Sequence, residues 1–152
     1  MEVKAITLED DLEKLVAEIN DALWGQDNEM STHDADSLTE YLKRQDTIFI
    51  ACHEHSHSSR TLMGTASSRI EIKPYGKEKW LYVDELDVCA NQRRKGVGRL
   101  LMRALLDIAE HEGCHELWLG AETENHAAIK LYQSLAPDDE CEVSGFTWET
   151  AE

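Results

Sequence analysis

Apolar positions recur at two different spacings along the chain, and the switches between them mark out the elements. Val3, Ala5 and the residues around them alternate well enough for residues 3–7 to open a sheet. Leu12, Leu15, Val16, Ile19 and Leu23 then return at helical spacing. Thr7 is placed to cap this helix, with Glu9 and Asp10 in its first turn, and the helix is expected to reach Trp24. Gly25-Gln26-Asp27-Asn28 is a polar turn, and a second helix is expected over 34–44 with Leu38, Tyr41 and Leu42 inward. Residues 47–52 read as a strand, 53–59 as a hairpin loop, and 62–72 as the partner strand, interrupted by Gly64. After a turn at 73–79, a third strand covers 80–89. A long helix over 96–112 follows, then a short strand at 115–121 and a helix over 125–135. The tail from 141 to 148 has the residues for one or two further strands. Strands and helices in this order make a mixed α/β layered domain.

Length and composition narrow this. At 152 residues, with two prolines and no low-complexity linker, the chain is expected to form one domain. No apolar run is long enough for a membrane span and no signal-peptide pattern opens the chain, so the expectation is a cytoplasmic protein without a membrane partner. Cys52, Cys89, Cys114 and Cys141 show no C-x-x-C spacing and read as free thiols. With 31 acidic against 15 basic residues the net charge is −16, which repels nucleic-acid phosphates. Such a charge suits a cationic partner, a polyamine, an aminosugar or a basic peptide, and it equally suits a protein that is merely kept soluble.

The segment Gln92-Arg93-Arg94-Lys95-Gly96-Val97-Gly98-Arg99 changes the picture most, because it lies between a strand and a helix. The first N–H groups of a helix lack internal partners and carry partial positive charge. Glycines let a ligand approach that backbone, and three basic side chains precede them. Together these features suit a pyrophosphate. Val97, Leu100, Leu101, Ala104, Leu105 and Ile108 form one stripe that docks the helix behind the turn. A P-loop would need G-x-x-x-x-G-K-S/T, which is absent, and a Rossmann turn would need a third glycine where Leu101 stands.

With its preceding strand Glu85-Leu86-Asp87-Val88, this turn resembles the R/Q-x-x-G-x-G/A signature of the GNAT superfamily of N-acetyltransferases. Glu124-Asn125-His126-Ala127-Ala128-Ile129-Lys130-Leu131-Tyr132 resembles the family's N-x-x-A-x-x-x-Y helix, and Asn125 is also a sound N-cap on local grounds. The chain departs from the pattern where the family has L-G-F, since Leu135-Ala136-Pro137 stands there. The resemblance implies a GNAT acyl-CoA fold with a mixed, mostly antiparallel central sheet flanked by helices and splayed near 80–90. It implies acetyl-CoA as cosubstrate, with its pyrophosphate on the N–H groups of residues 94–99 and its pantetheine arm along the backbone of Leu86, Asp87 and Val88. Arg93, Lys95, Asn125, Ala128 and Tyr132 complete the cofactor-binding set. Tyr132 is implied as the acid at the leaving thiolate, and the Val88 N–H as the oxyanion donor. Family dimers make a homodimer an expectation by analogy.

Acetyl transfer to an amine needs a base to free the nitrogen lone pair. Asp84, Glu85 and Asp87 crowd one strand, where like charges raise one another's pKa. Simple alternation puts Asp84 with Leu86 and Val88 on one face and Glu85 with Asp87 on the other, and a bulge, frequent here in the family, would change that parity. Asp84 is the favoured base, with Glu85 binding the substrate cation. The same acids read alternatively as a solvated surface. Trp24 and Asp27 lie in the loop that borders the acceptor site in GNAT folds, and Trp24 either stacks on a sugar or packs in the core. His53, His55 and His57 alternate but lack matching Cys or acid spacing, so no metal is expected. The acceptor expected is a small polycationic amine, aminoglycoside-like (the 3-N type among others), attacked without an acyl-enzyme. Diamine, polyamine or peptide acetylation and, from another class, a non-catalytic acyl-CoA-binding module stand as alternatives.

Overall fold

A computed structural model describes residues 1–25 and 30–151. The chain divides into two compact units, Met1–Leu119 and Gly120–Glu152. The first holds β1 (Glu2–Ala5), α1 (Leu12–Asp21), α2 (Ala35–Lys43), β2 (Thr47–Ser56), β3 (Ser59–Ile72), β4 (Lys79–Val88), a short 3-10 turn (Ala90–Gln92), α3 (Val97–His111) and β5 (Glu116–Trp118). The sheet runs in the order β1-β2-β3-β4-β5. Its first four strands pair antiparallel, and β5 joins β4 in parallel through Trp80, Leu81 and Tyr82 only.

The two faces of the sheet follow from register. Gly64, Ala66, Ser68 and Ile70 on β3 stand opposite Val88, Leu86, Val83 and Leu81 on β4. This face receives α3: a Cβ on Gly64 would come within 3.1 Å of Val97 and 3.2 Å of Leu101. Val97, Leu101 and Leu105 of the expected stripe are buried, but the inner side is completed by Met102 and Ala109, while Leu100, Ala104 and Ile108 are only partly buried. The other face carries Phe49 and Ala51, which join Leu15, Val16 and Ile19 of α1 and Leu38 of α2 in one buried cluster.

Several local features differ from the sequence expectation. The cap of α1 is Asp11, which accepts from the Lys14 N–H, rather than Thr7. Thr7 instead opens a separate turn whose N–H donates to Asp10. The hairpin loop shrinks to two residues, His57 and Ser58, because β2 and β3 stay paired out to Ser56 and Ser59. Positive φ at His57 (48°) makes that tight reversal. Gly64 does not interrupt β3; it is paired to Cys52 and Val88, and its missing side chain lets α3 approach. Of the three histidines, His53 lies buried with its Nε2 3.3 Å from Glu18, whose carboxylate also binds Arg60. Burial, with Arg60 nearby, pushes the His53 pKa down. Its alternation with His55 is the two-residue period of a strand. Among the described residues no three of His, Cys, Asp and Glu form a metal-ligating group. The four cysteines are free thiols.

In the second unit, α4 (His126–Ser134) begins at Asn125, whose side chain accepts from the Ala128 N–H at 3.2 Å. The tail forms no strand over 141–148, and Val143, Phe146 and Trp148 are exposed. Its alternation is real in the sequence, but among the described residues no partner strand takes up its backbone hydrogen bonds. Among the described residues no helix is long and apolar enough to cross a membrane.

Candidate active site

The strand-to-helix turn is built on two left-handed residues, Arg94 at φ 65° and Gly96 at φ 83°. Gly96 caps α3 without a side-chain acceptor, so no capping oxygen occupies the helix terminus. A Cβ on Gly96 would meet nothing within 4 Å, so the space over the turn is open. Lys95 donates to Gln92 and lies over the turn. A phosphorylated ligand fits this terminus: N–H groups and a dipole meet the anion, and Arg93, Arg94, Lys95 and Arg99 bring charge.

The strand leading into the turn presents an open edge. The Cys89 N–H donates to Met63 O at 2.9 Å, so in an antiparallel ladder the N–H groups of Leu86 and Val88 point to the opposite side. On that side β5 stops at Tyr82, and among the described residues no strand pairs with 83–88. This is the splay, and it leaves Leu86 and Val88 able to bind an extended ligand arm as an added strand would.

A bulge decides where the acids point. Ser67 pairs with Glu85 and Ser68 with Val83, which leaves Asp84 as the extra residue. Asp84 keeps the face of Tyr82, where its carboxylate meets Arg69 Nε at 3.3 Å, and the extra residue shifts Glu85 and Asp87 onto that same face. Asp84, Glu85 and Asp87 all lie on the α1/α2 face, and Leu86 and Val88 on the α3 face. Asp84 thus shares a face with Glu85 and Asp87, not with Leu86 and Val88 as unbroken alternation expects.

The three acids differ in surroundings. Asp84 and Glu85 are exposed. Asp87 is half-buried, and burial first, then the neighbouring Glu85 charge, pushes its pKa up to about 6. The registered rows Phe49–Ser67–Glu85 and Ala51–Thr65–Asp87 run across three strands. Small Ser67 and buried Thr65 therefore stand between the acids and Phe49 and Ala51, roughly 10 Å apart at two strand spacings. Tyr41 stands edge-on to Phe49, donating to Ser68 O at 2.9 Å. Its hydroxyl is held neutral, with a pKa pushed up to about 12 by burial and by Asp84.

The loop after α1 adds two residues. Trp24 packs against the core, its indole N–H donating to Ile19 O at 2.8 Å, so the packing alternative describes it. Leu23 O accepts from the Ala90 N–H at 2.7 Å, tying the loop to the turn. Asp27 lies outside the described residues. His33, which the sequence pattern did not single out, has its ring 6.3 Å from Phe49. Only its position in space identifies it. Two surface hollows of about 450 and 410 Å³ flank Glu18 and Arg60 and are not lined by the acids. Tyr132 sits on α4 in the second unit.

An α/β sheet that opens at one strand, with an anion-ready helix terminus behind it, defines a class of ligand-binding α/β protein. The sequence model of the acetyltransferase (GNAT) family matches residues 12–136, and the chain belongs to that family. Streptothricin acetyltransferase of Streptomyces lavendulae is 36% identical over 55 residues, 36% of this chain and 29% of the relative. The ribosomal protein bS18-alanine N-acetyltransferase of Salmonella typhimurium is 46% identical over 43 residues, 28% of this chain and 29% of the relative. The chain thus spans less than a third of the length of each of these relatives. An aminoglycoside acetyltransferase from an uncultured soil metagenomic sample, solved in complex with sisomicin, superposes with a TM-score of 0.80. It is 19% identical, with 99% of this chain and 96% of that one covered, and it establishes the shared fold.

Proposed function

We propose that this protein transfers an acetyl group from acetyl-CoA to a primary amine of a small polycationic acceptor of the aminoglycoside kind. The observation that carries the reading is the juxtaposition on β4 itself. One edge of the strand is unpaired beside a basic helix terminus, and one face carries three acids. Acetyl-CoA supplies the activated acyl group. The turn at 93–99 binds its pyrophosphate, and the outward N–H groups of Leu86 and Val88 hold and polarise its amide arm.

The base that the geometry favours is Asp87 rather than Asp84. Asp84 is engaged by Arg69 and open to water, whereas Asp87 has a pKa pushed up to about 6. A carboxylate raised by about two units takes a proton from an ammonium at roughly 3 kcal/mol less cost. Glu85 and Asp84 flank it and suit the remaining ammonium groups of the acceptor. Asn125 and Ala128 belong to the α4 signature, and Tyr132 is the proposed proton donor to the thiolate by the family resemblance. Direct attack is favoured because burial pushes the Cys89 pKa up to about 11, which keeps it a poor nucleophile. A peptide α-amine is the second reading, supported by the similarity to the ribosomal-protein acetyltransferase.

Thiol release from acetyl-CoA across aminoglycosides, diamines and basic peptides tests this. Turnover on an aminoglycoside, lost in Asp87→Asn and reduced in Tyr132→Phe, is the expected result. Acetyl-CoA binding without turnover on any amine would instead favour a non-catalytic acyl-CoA-binding module.

A further inference from the structure

Toward the start of β4, the face that carries the acids also carries a row of aromatic rings. Trp80 and Tyr82 lie on β4 and Trp118 on β5, with ring centroids 6.0 Å apart for Trp80 and Tyr82 and 6.1 Å apart for Tyr82 and Trp118. Two rings of the row already hold cations. Lys73 Nζ lies over Trp80 at 4.5 Å and over Tyr82 at 4.8 Å, and the Arg69 guanidinium lies over Tyr82 at 4.8 Å. At these distances the negative face of a ring attracts a positive charge. Trp118 is the exception. Among the described residues no cation lies over it, and it is 40% exposed where Trp80 and Tyr82 are half-buried. The register puts this ring at the mouth of the splay: Trp118 pairs with Tyr82 as the last residue of β5, and Asp84 follows Tyr82 on the same face. Strand rise and spacing put the Trp118 backbone about 8 Å from that of Asp84 and about 14 Å from that of Asp87. Glu116 precedes Trp118 by two residues, so strand alternation gives it the same face. Arg69 is already neutralised, 2.8 Å from Glu71 and 3.3 Å from Asp84, and Lys73 donates to the Tyr82 hydroxyl. Glu78 accepts from the Trp80 indole at 3.2 Å. The carboxylates of Glu71, Glu78, Asp84 and Glu116 thus outnumber Arg69 and Lys73 around the row, and a further cation meets net negative charge.

We propose that Trp118, with Glu116 beside it, is the subsite for a second ammonium group of the acceptor and selects polyamines over monoamines; this rests on the acetyltransferase reading above. With one amine at Asp87, the rest of the acceptor runs along the acid face toward β5, and an ammonium on a separate ring of the acceptor reaches the exposed indole. Lys73 and Arg69 show by their own positions what the row attracts, and Trp118 is the ring they leave unoccupied. Tryptophan is the aromatic side chain that holds a cation best, and an exposed contact of this kind changes affinity roughly two- to fivefold. No bond is made or broken at Trp118, so its effect falls on acceptor binding and not on the chemical step.

The test has two arms. In the first, kanamycin, an aminoglycoside with several amines, and cyclohexylamine, with one, are titrated into the protein while its indole N–H signals are followed by NMR. The Trp118 signal is the one absent from Trp118→Leu. Kanamycin should move that signal, and cyclohexylamine at the same concentration should leave it in place. In the second arm, steady-state kinetics, Trp118→Leu should raise the kanamycin KM roughly two- to fivefold. The kcat, the acetyl-CoA KM and the cyclohexylamine KM should not change, and Trp118→Phe should restore part of the loss. An unmoved Trp118 signal or an unchanged kanamycin KM would overturn the subsite. An equal rise in KM for both amines would overturn it too, because that marks a ring with a merely structural role. The titration needs no turnover, so a protein that acetylates no amine would sink the functional reading while the titration still decided whether Trp118 holds a cation.

Discussion

At the scale of single residues, the instructive contrast is between Asp84 and Asp87. Both are visible in the sequence as acids on one strand, and burial of Asp87 and the Arg69 ion pair at Asp84 separate them. Asp87 titrates near 6 against an ordinary 3.8. The unfolded chain therefore loses this proton near pH 4, while the folded protein keeps it until about pH 6. Between those values the folded state binds more protons, and stability from this group falls as pH rises. Asp87→Asn should flatten that fall and leave the protein up to roughly 3 kcal/mol more stable at pH 7 than the native protein, relative to pH 4. Urea unfolding of both proteins at the two pH values checks this, and equal pH slopes would contradict the burial of Asp87. A gain in stability with a loss of rate is what a strained functional group produces. His33 was not legible because nothing in its local spacing distinguishes it; the fold alone brings it to Phe49. Trp24 was legible as a candidate, but its role depended on whether a carbonyl lay within reach, and Ile19 O does.

At the scale of elements, α3 was the most readable part. Its stripe, its turn and its glycine are all local, and the helix folds from Val97 to His111 with Val97, Leu101 and Leu105 of that stripe buried. Local propensity penalises glycine in a strand, so the sequence alone predicts a break at Gly64. Its reason is a contact from elsewhere: a Cβ there would sit 2.6 Å from Asp87 O and 3.1 Å from Val97. Gly64→Ala should therefore destabilise the protein by roughly 1–3 kcal/mol, since neither a strand backbone nor a docked helix yields easily. A lowered denaturant midpoint with an unchanged slope is expected, and an unchanged midpoint would show that α3 can retreat at no cost. The bulge at Asp84 belongs to this scale too. Period-two alternation assumes a regular ladder, and one extra residue moves a side chain to the other face.

For the molecule as a whole, charge and fold answer different questions. A net charge of −16 favours cationic partners and says nothing about how the chain folds. Raising ionic strength should therefore raise the KM for a polycationic acceptor several-fold while kcat holds, because charges beyond about 10 Å are screened at 0.1 M salt. A monoamine should respond less, and equal salt sensitivity of the two would mean that the acids meet only one ammonium. The sequence by itself determined the family, the element order through α4 and the anion-ready turn, because each is written in spacing and composition over a few dozen residues. Tertiary structure alone decided which acid is buried, that Asp84, Glu85 and Asp87 share one face, and why Gly64 must be small. Each of these depends on a neighbour distant in the chain, through strand register or through the exclusion of water from one carboxylate.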